Sequence, residues 1–248
     1  MKKIFNVSIC LLILACAGKN IEKSDVHYKF GLAYLNTESY YRSLGEFEKA
    51  LKYNPEDDRI FFGISTFYLK KGDLDNAEKN ILKAISLNEN NTTYFNTYAS
   101  ILAAKKNYEQ ASIYWKKVLK DPHYPSHAMI YYNLGYASYE IGKYNDAIHY
   151  LEKSLMEDES IIRTHMLLYR TYNQFGKYFD AESALKRAII INPLSATLKL
   201  ELGEFYYKKG DYGEAAAHFN DIKETTNKSN PEYSEAIEYL KNMGLYNE

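Results

Sequence analysis

Cysteine is nearly absent from this 248-residue chain, with Cys10 and Cys16 the only two. Proline (5) and glycine (12) are scarce as well, so few positions break a helix or force a tight turn. There is no excess of charge either: 31 basic side chains face 32 acidic ones. That balance excludes a basic face for nucleic acid and long-range steering toward a charged partner. The chain lacks a phosphate-cradling glycine loop, an HExxH zinc pair and a nucleophile elbow, so the expected role is non-catalytic, with no cofactor and no small-molecule substrate. His123 and His127 are spaced for a metal on one helix, but Pro122 and Pro125 interrupt that stretch, so no metal is expected. What the chain has in abundance is tyrosine, 26 residues. Such rings suit half-buried helix surfaces that keep a polar tip wet.

The first residues read as a targeting segment, residues 1–15. Lys2 and Lys3 precede a short apolar stretch from Ile4 to Ala15, shorter than the roughly 20 residues that span a bilayer as a helix. It ends in Ile13-Leu14-Ala15-Cys16, which resembles the lipobox of bacterial lipoproteins. The resemblance implies cleavage before Cys16, a diacylglycerol on its sulfur and anchoring through lipid. Cys10 would leave with the peptide, so the mature chain could form no disulfide. Residues 16–23 are then the lipidated end and a linker.

Beyond the linker the chain repeats itself. A small residue recurs at Ser43, Ala77, Ala111, Ala147, Ala181 and Ala215, with spacings of 34, 34, 36, 34 and 34. Large residues follow four positions later at Phe47, Ile81, Trp115, Leu151, Leu185 and Phe219. A third column reads Tyr40, Leu74, Tyr108, Tyr144, Tyr178 and Tyr212, after turns such as Lys71-Gly72-Asp73. Small residues also recur upstream at Gly31, Ser65, Ala99, Gly135 and Gly203, where they let two helices approach closely. These columns resemble the tetratricopeptide family over residues 24–229. The implied fold is all-α: a right-handed superhelical solenoid of about six hairpins (24–57, 58–91, 92–125, 128–161, 162–195, 196–229). Asn230 and Pro231 open a capping helix in the segment 230–248, with Tyr233, Ala236, Ile237, Leu240 and Met243 on its apolar face and Gly244 at its end. Tyr169 stands where a small residue is expected, which predicts a splayed fifth hairpin or a ring turned outward.

In such an array the concave side is lined by the outward positions of each first helix. Registering the repeats places Tyr28, Leu32, Leu35, Phe62 and Leu69 there, then Asn96 and Ser100, and further on the tyrosine ladder Tyr132, Tyr136 and Tyr139. Met166, Arg170, Leu200, Glu204 and Tyr207 follow. An apolar, aromatic groove of this kind suits a helix or an extended segment of a protein partner.

The two extra residues between the third and fourth units fall at Asp121-Pro122-His123-Tyr124-Pro125, followed by Tyr132-Asn133-Leu134-Gly135. With the lipobox and six repeats, this is similar to the pilotin family of type IV pili. The resemblance implies a periplasm-facing lipoprotein of the outer membrane that assists secretin localisation and assembly. A scaffold for other envelope machinery (outer-membrane protein insertion or peptidoglycan hydrolase recruitment) and a surface-displayed host-binding lipoprotein are the alternatives.

Overall fold

The computed structural model describes residues 20–246. The targeting segment 1–15 and the lipidation position Cys16 lie outside the described residues. Every regular element among those described is a helix: α1 over 20–36, α2 Tyr40–Tyr53, α3 Asp58–Lys70, α4 Leu74–Leu87, α5 Thr92–Ala104, α6 Tyr108–Val118, α7 His127–Glu140, α8 Tyr144–Glu157, α9 Ile162–Gln174, α10 Tyr178–Ile191, α11 Ala196–Lys209, α12 Tyr212–Thr225 and α13 Pro231–Asn242. Residues 20–23, expected as linker, are helical and continue α1. No breaker separates Asn20 from Ser24, and Lys23 lies 5.2 Å from the Tyr53 ring centroid.

The chain divides into two compact units, residues 1–125 and 126–248. The first contains the hairpins α1/α2, α3/α4 and α5/α6. The second contains α7/α8, α9/α10, α11/α12 and the added helix α13.

The repeat columns become the packing. Ser43, Ala77, Ala111, Ala147, Ala181 and Ala215 are all fully buried, and Phe47, Ile81, Trp115, Leu151, Leu185 and Phe219 are at most 2% exposed. The small partners make room for the large ones. A Cβ added at Gly31 would lie 2.5 Å from the Phe47 ring, and one at Gly135 would lie 2.6 Å from Leu151. Where the small residue is serine, its hydroxyl is satisfied by the facing helix: Ser43 Oγ donates to the Gly31 carbonyl (2.9 Å) and Ser65 Oγ to the Ala77 carbonyl (2.8 Å).

All six hairpin turns place one residue in the left-handed region, at Glu38, Gly72, Lys106, Gly142, Gly176 and Gly210. Each of these residues lets the chain close a Schellman-type turn. At Gly72, for example, Asp73 N–H reaches the Tyr68 carbonyl at 3.0 Å and Gly72 N–H the Leu69 carbonyl at 3.1 Å.

Tyr169 departs from the outward position expected of it. It is 6% exposed, and its ring meets Phe205 of the next hairpin edge-on at 6.1 Å. The fifth hairpin is not splayed, because Ala181 and Leu185 of its second helix stay fully buried. Burial pushes the Tyr169 hydroxyl up to about 12. At the C-terminal end α13 covers the last hairpin with Ala236 and Leu240, both fully buried, and with Tyr239 stacked on Phe219 at 4.7 Å. Asn230 holds the N-cap position but makes no side-chain cap bond; Pro231 follows it at the first turn.

Candidate functional site

The first-helix face of the first unit is an apolar stripe with a charged edge. Tyr28 and Leu32 of α1 are half-buried against the core built from Phe47, Ala50, Ile60 and Ile64. Phe62 of α3 is half-buried with its ring 5.0 Å from that of Tyr94, and Leu69 is half-buried in the last turn of the same helix. Leu35 departs from the expected groove: at 3% exposure it is core.

Arg59 orders the edge of this stripe. Its guanidinium lies 5.1 Å from the Tyr28 ring centroid while Nε and Nη2 donate to the two Asp57 oxygens at 3.0 and 2.7 Å. Nη1 reaches Asp25 Oδ1 at 3.3 Å. The hydrogen bonds it donates to Asp57 hold the guanidinium above its ordinary value, and burial raises the Tyr28 hydroxyl. The same arrangement recurs in the second unit. Arg163 lies 5.4 Å from the Tyr132 ring, and burial again raises the tyrosine. Both arginines follow their tyrosines by 31 residues and occupy one repeat position. That repeat-register signal is present in the sequence.

Tyr132, Tyr136 and Tyr139 are half-buried against the core of the second unit. The ladder continues through Tyr144, 6.0 Å from Tyr139, to Phe175, another 6.0 Å on. Of the remaining expected groove residues, Arg170 pairs with Glu201 at 3.6 Å, and Glu204 accepts from Lys208 at 3.1 Å. Leu200 is 6% exposed and therefore core. Tyr207 packs edge-on against Tyr212 and Tyr239.

The inserted segment folds onto the third hairpin. Thr92 Oγ1 donates to Asp121 Oδ2 at 2.7 Å, and Asp121 Oδ1 accepts the His123 backbone N–H at 2.9 Å. Trp115 Nε1 donates to Asn96 Oδ1 at 3.0 Å, and Tyr124 shares a hydrogen bond with the same Asn96 side chain. Asn96 is thus engaged in holding the insertion. His123 lies in this turn and His127 in the first turn of α7. Among the described residues no cluster of three or more His, Cys, Asp or Glu could hold a metal ion, and no helix is long and apolar enough to cross a membrane.

Stacked helical hairpins with paired aromatic faces define a protein-binding repeat scaffold. Family models for the tetratricopeptide repeat match residues 28–91 and 172–238, together more than half of the chain, and a model for subunit 3 of the anaphase-promoting complex matches 104–188. The chain belongs to the tetratricopeptide-repeat family. It is 26% identical to the type IV pilus assembly protein PilF of Pseudomonas aeruginosa over 64% of its own length, spanning 66% of that protein, just under two thirds. A tetratricopeptide-repeat-containing protein of Methanocaldococcus jannaschii matches at 25% identity over 73% of this chain and 32% of that one. Among solved structures, PilW, described as a widely conserved type IV pilus biogenesis factor, superposes with a TM-score of 0.75 at 21% identity, covering 86% of this chain and 97% of PilW. Pseudomonas aeruginosa PilF superposes with a TM-score of 0.71 at 21% identity, covering 88% and 97%. At those identities the superpositions establish the fold.

Proposed function

We propose that this chain is a pilotin-like scaffold of type IV pilus biogenesis, anchored in the outer membrane through lipid on Cys16, that receives secretin subunits on its first-helix face. The observation that carries the reading is the sequence likeness to PilF, 26% identity over 64% of this chain. The stripe of Tyr28, Leu32, Phe62 and Leu69 supports it, because half-buried apolar side chains still have area to give to a partner. Each Å² covered is worth roughly 25 cal/mol, less the cost of ordering the partner.

Two measurements test the proposal together. Co-expressed with secretin subunits in a bacterial host, the wild-type chain moves them to the outer-membrane fraction and promotes their multimers. The Leu32→Ser/Phe62→Ser variant, checked for folding by circular dichroism, loses capture. Cys16→Ala retains capture but leaves the membrane fraction, since stable anchoring requires at least two acyl chains. A folded double variant that still gathers secretin at normal strength refutes the assigned face. A wild-type chain without effect on secretin refutes the pilus role.

A further inference from the structure

On the fourth and fifth hairpins α8, α9 and α10 enclose a groove of about 870 Å³. Its walls are apolar at a position that is polar elsewhere in the array. Five residues beyond the large core residue of each second helix stand Lys52, Ser86, Lys120, Met156, Ile190 and Glu224. All six are exposed, Met156 at 83% and Ile190 at 77%. The core positions of these two helices are taken by Leu151 and Leu185, both fully buried, and Met156 and Ile190 lie outside them. Leu155 and Leu168 continue the apolar lining beneath them. Two adjacent repeats therefore present apolar area to one cleft, and exposed area of this kind calls for a partner.

The polar groups of the groove share one demand. Three carboxylates, Glu152, Glu159 and Asp180, line it against the single guanidinium of Arg187. At its base His165 is 3% exposed, with Nε2 2.9 Å from the Glu159 carbonyl. A carbonyl only accepts, so Nε2 carries a proton, and in the neutral ring Nδ1 is then an acceptor. That buried Nδ1 has no hydrogen-bond partner among the described residues. The net negative charge of the lining asks for cationic donors. A second copy of this chain fits poorly, because a two-fold contact here would set the three carboxylates against their own counterparts.

We propose that this groove docks a peptide segment of a partner protein in which apolar side chains are interleaved with lysine or arginine, at a site separate from the first-helix face. The purified full chain would be titrated by fluorescence anisotropy with three synthetic peptides: leucine interleaved with lysine, leucine with glutamate, and serine with lysine. The leucine–lysine peptide binds and the other two do not, and added salt weakens the binding. Met156→Ser with Ile190→Ser lowers its affinity about tenfold or more, since burying one large aliphatic side chain is worth about 1.5–3 kcal/mol and a tenfold change needs about 1.4. Leu32→Ser/Phe62→Ser leaves it unchanged, which separates this site from the face assigned to secretin.

Equal binding of the leucine–glutamate peptide overturns the proposal, as does wild-type affinity in the Met156→Ser/Ile190→Ser variant. Substitutions that change sedimentation of the chain alone, and leave peptide affinity as it was, make the occupant a second copy and overturn it too. Should the double variant melt early, methyl chemical shifts of the wild-type chain decide instead. Peptide-induced shifts at Met156 and Ile190 support the site, and shifts confined to other residues refute it.

Discussion

Gly45 and Gly203 both lie inside helices, α2 and α11, and replacing each with alanine should act in opposite directions. The helix-propensity gain is the same at both, about 1 kcal/mol. Around Gly45 there is nothing within 4 Å of an added Cβ, so that gain stands undiminished. At Gly203 the Cβ would lie 2.5, 2.9 and 3.0 Å from three atoms of the Phe219 ring. Phe219 is fully buried and stacked against Tyr239, so the ring has nowhere to swing. The helices must separate instead, and overpacking of this kind costs about 1–3 kcal/mol. Because the propensity term is common, the difference between the two variants isolates the overpacking. Native-state hydrogen exchange reads it locally: amides of α1/α2 gain protection in Gly45→Ala, while those of α11/α12 lose it in Gly203→Ala. If Gly203→Ala raises protection as much as Gly45→Ala does, the small-residue column is not what sets the approach of paired helices.

Lys106→Gly should stabilise the third hairpin by about 0.5–1 kcal/mol in urea denaturation, because the left-handed backbone at φ 62° costs a side-chain-bearing residue about 1–2 kcal/mol and glycine returns part of that as chain entropy. Leu240→Ala removes a fully buried side chain from α13 and should cost about 2–5 kcal/mol, read as early exchange of α12 and α13 with the first unit unaffected. The Asp73 carboxylate accepts from Asn76 N–H at 3.1 Å and Asn76 Nδ2 at 2.7 Å, which holds its pKa below the ordinary 3.8. A depressed folded-state value stabilises above the unfolded value and is lost as pH falls through the folded one. The stability gap between wild type and Asp73→Ala should therefore be full at neutral pH and shrink in acid; a gap independent of pH would refute the cap's charge contribution.

The period of the array was legible in the chain itself. Small, large and turn positions recur because each hairpin solves the same packing problem against its neighbour, so Ala147 and Leu151 could be placed in the core from spacing alone. The capping role of α13 was equally readable, since Leu240 and Ala236 follow helical spacing after an Asn-Pro start. Periodicity reports which face of a helix a residue occupies. It is silent on what lies across from that face. Leu35 and Leu69 hold the same repeat position and precede the same kind of turn, yet the first is buried while the second stays half-covered. Tyr169 broke the small-residue column, and only the arrival of Phe205 from the following hairpin turned its ring inward. The pairing of Arg59 with Tyr28 and of Arg163 with Tyr132 joins residues 31 apart, and it needed two adjacent repeats in place to become a contact. Met156 and Ile190 read as ordinary helix surface one residue at a time. Tertiary structure brings α8 and α10 to either side of α9 and makes one groove of them, because burial depends on what the neighbouring helix supplies.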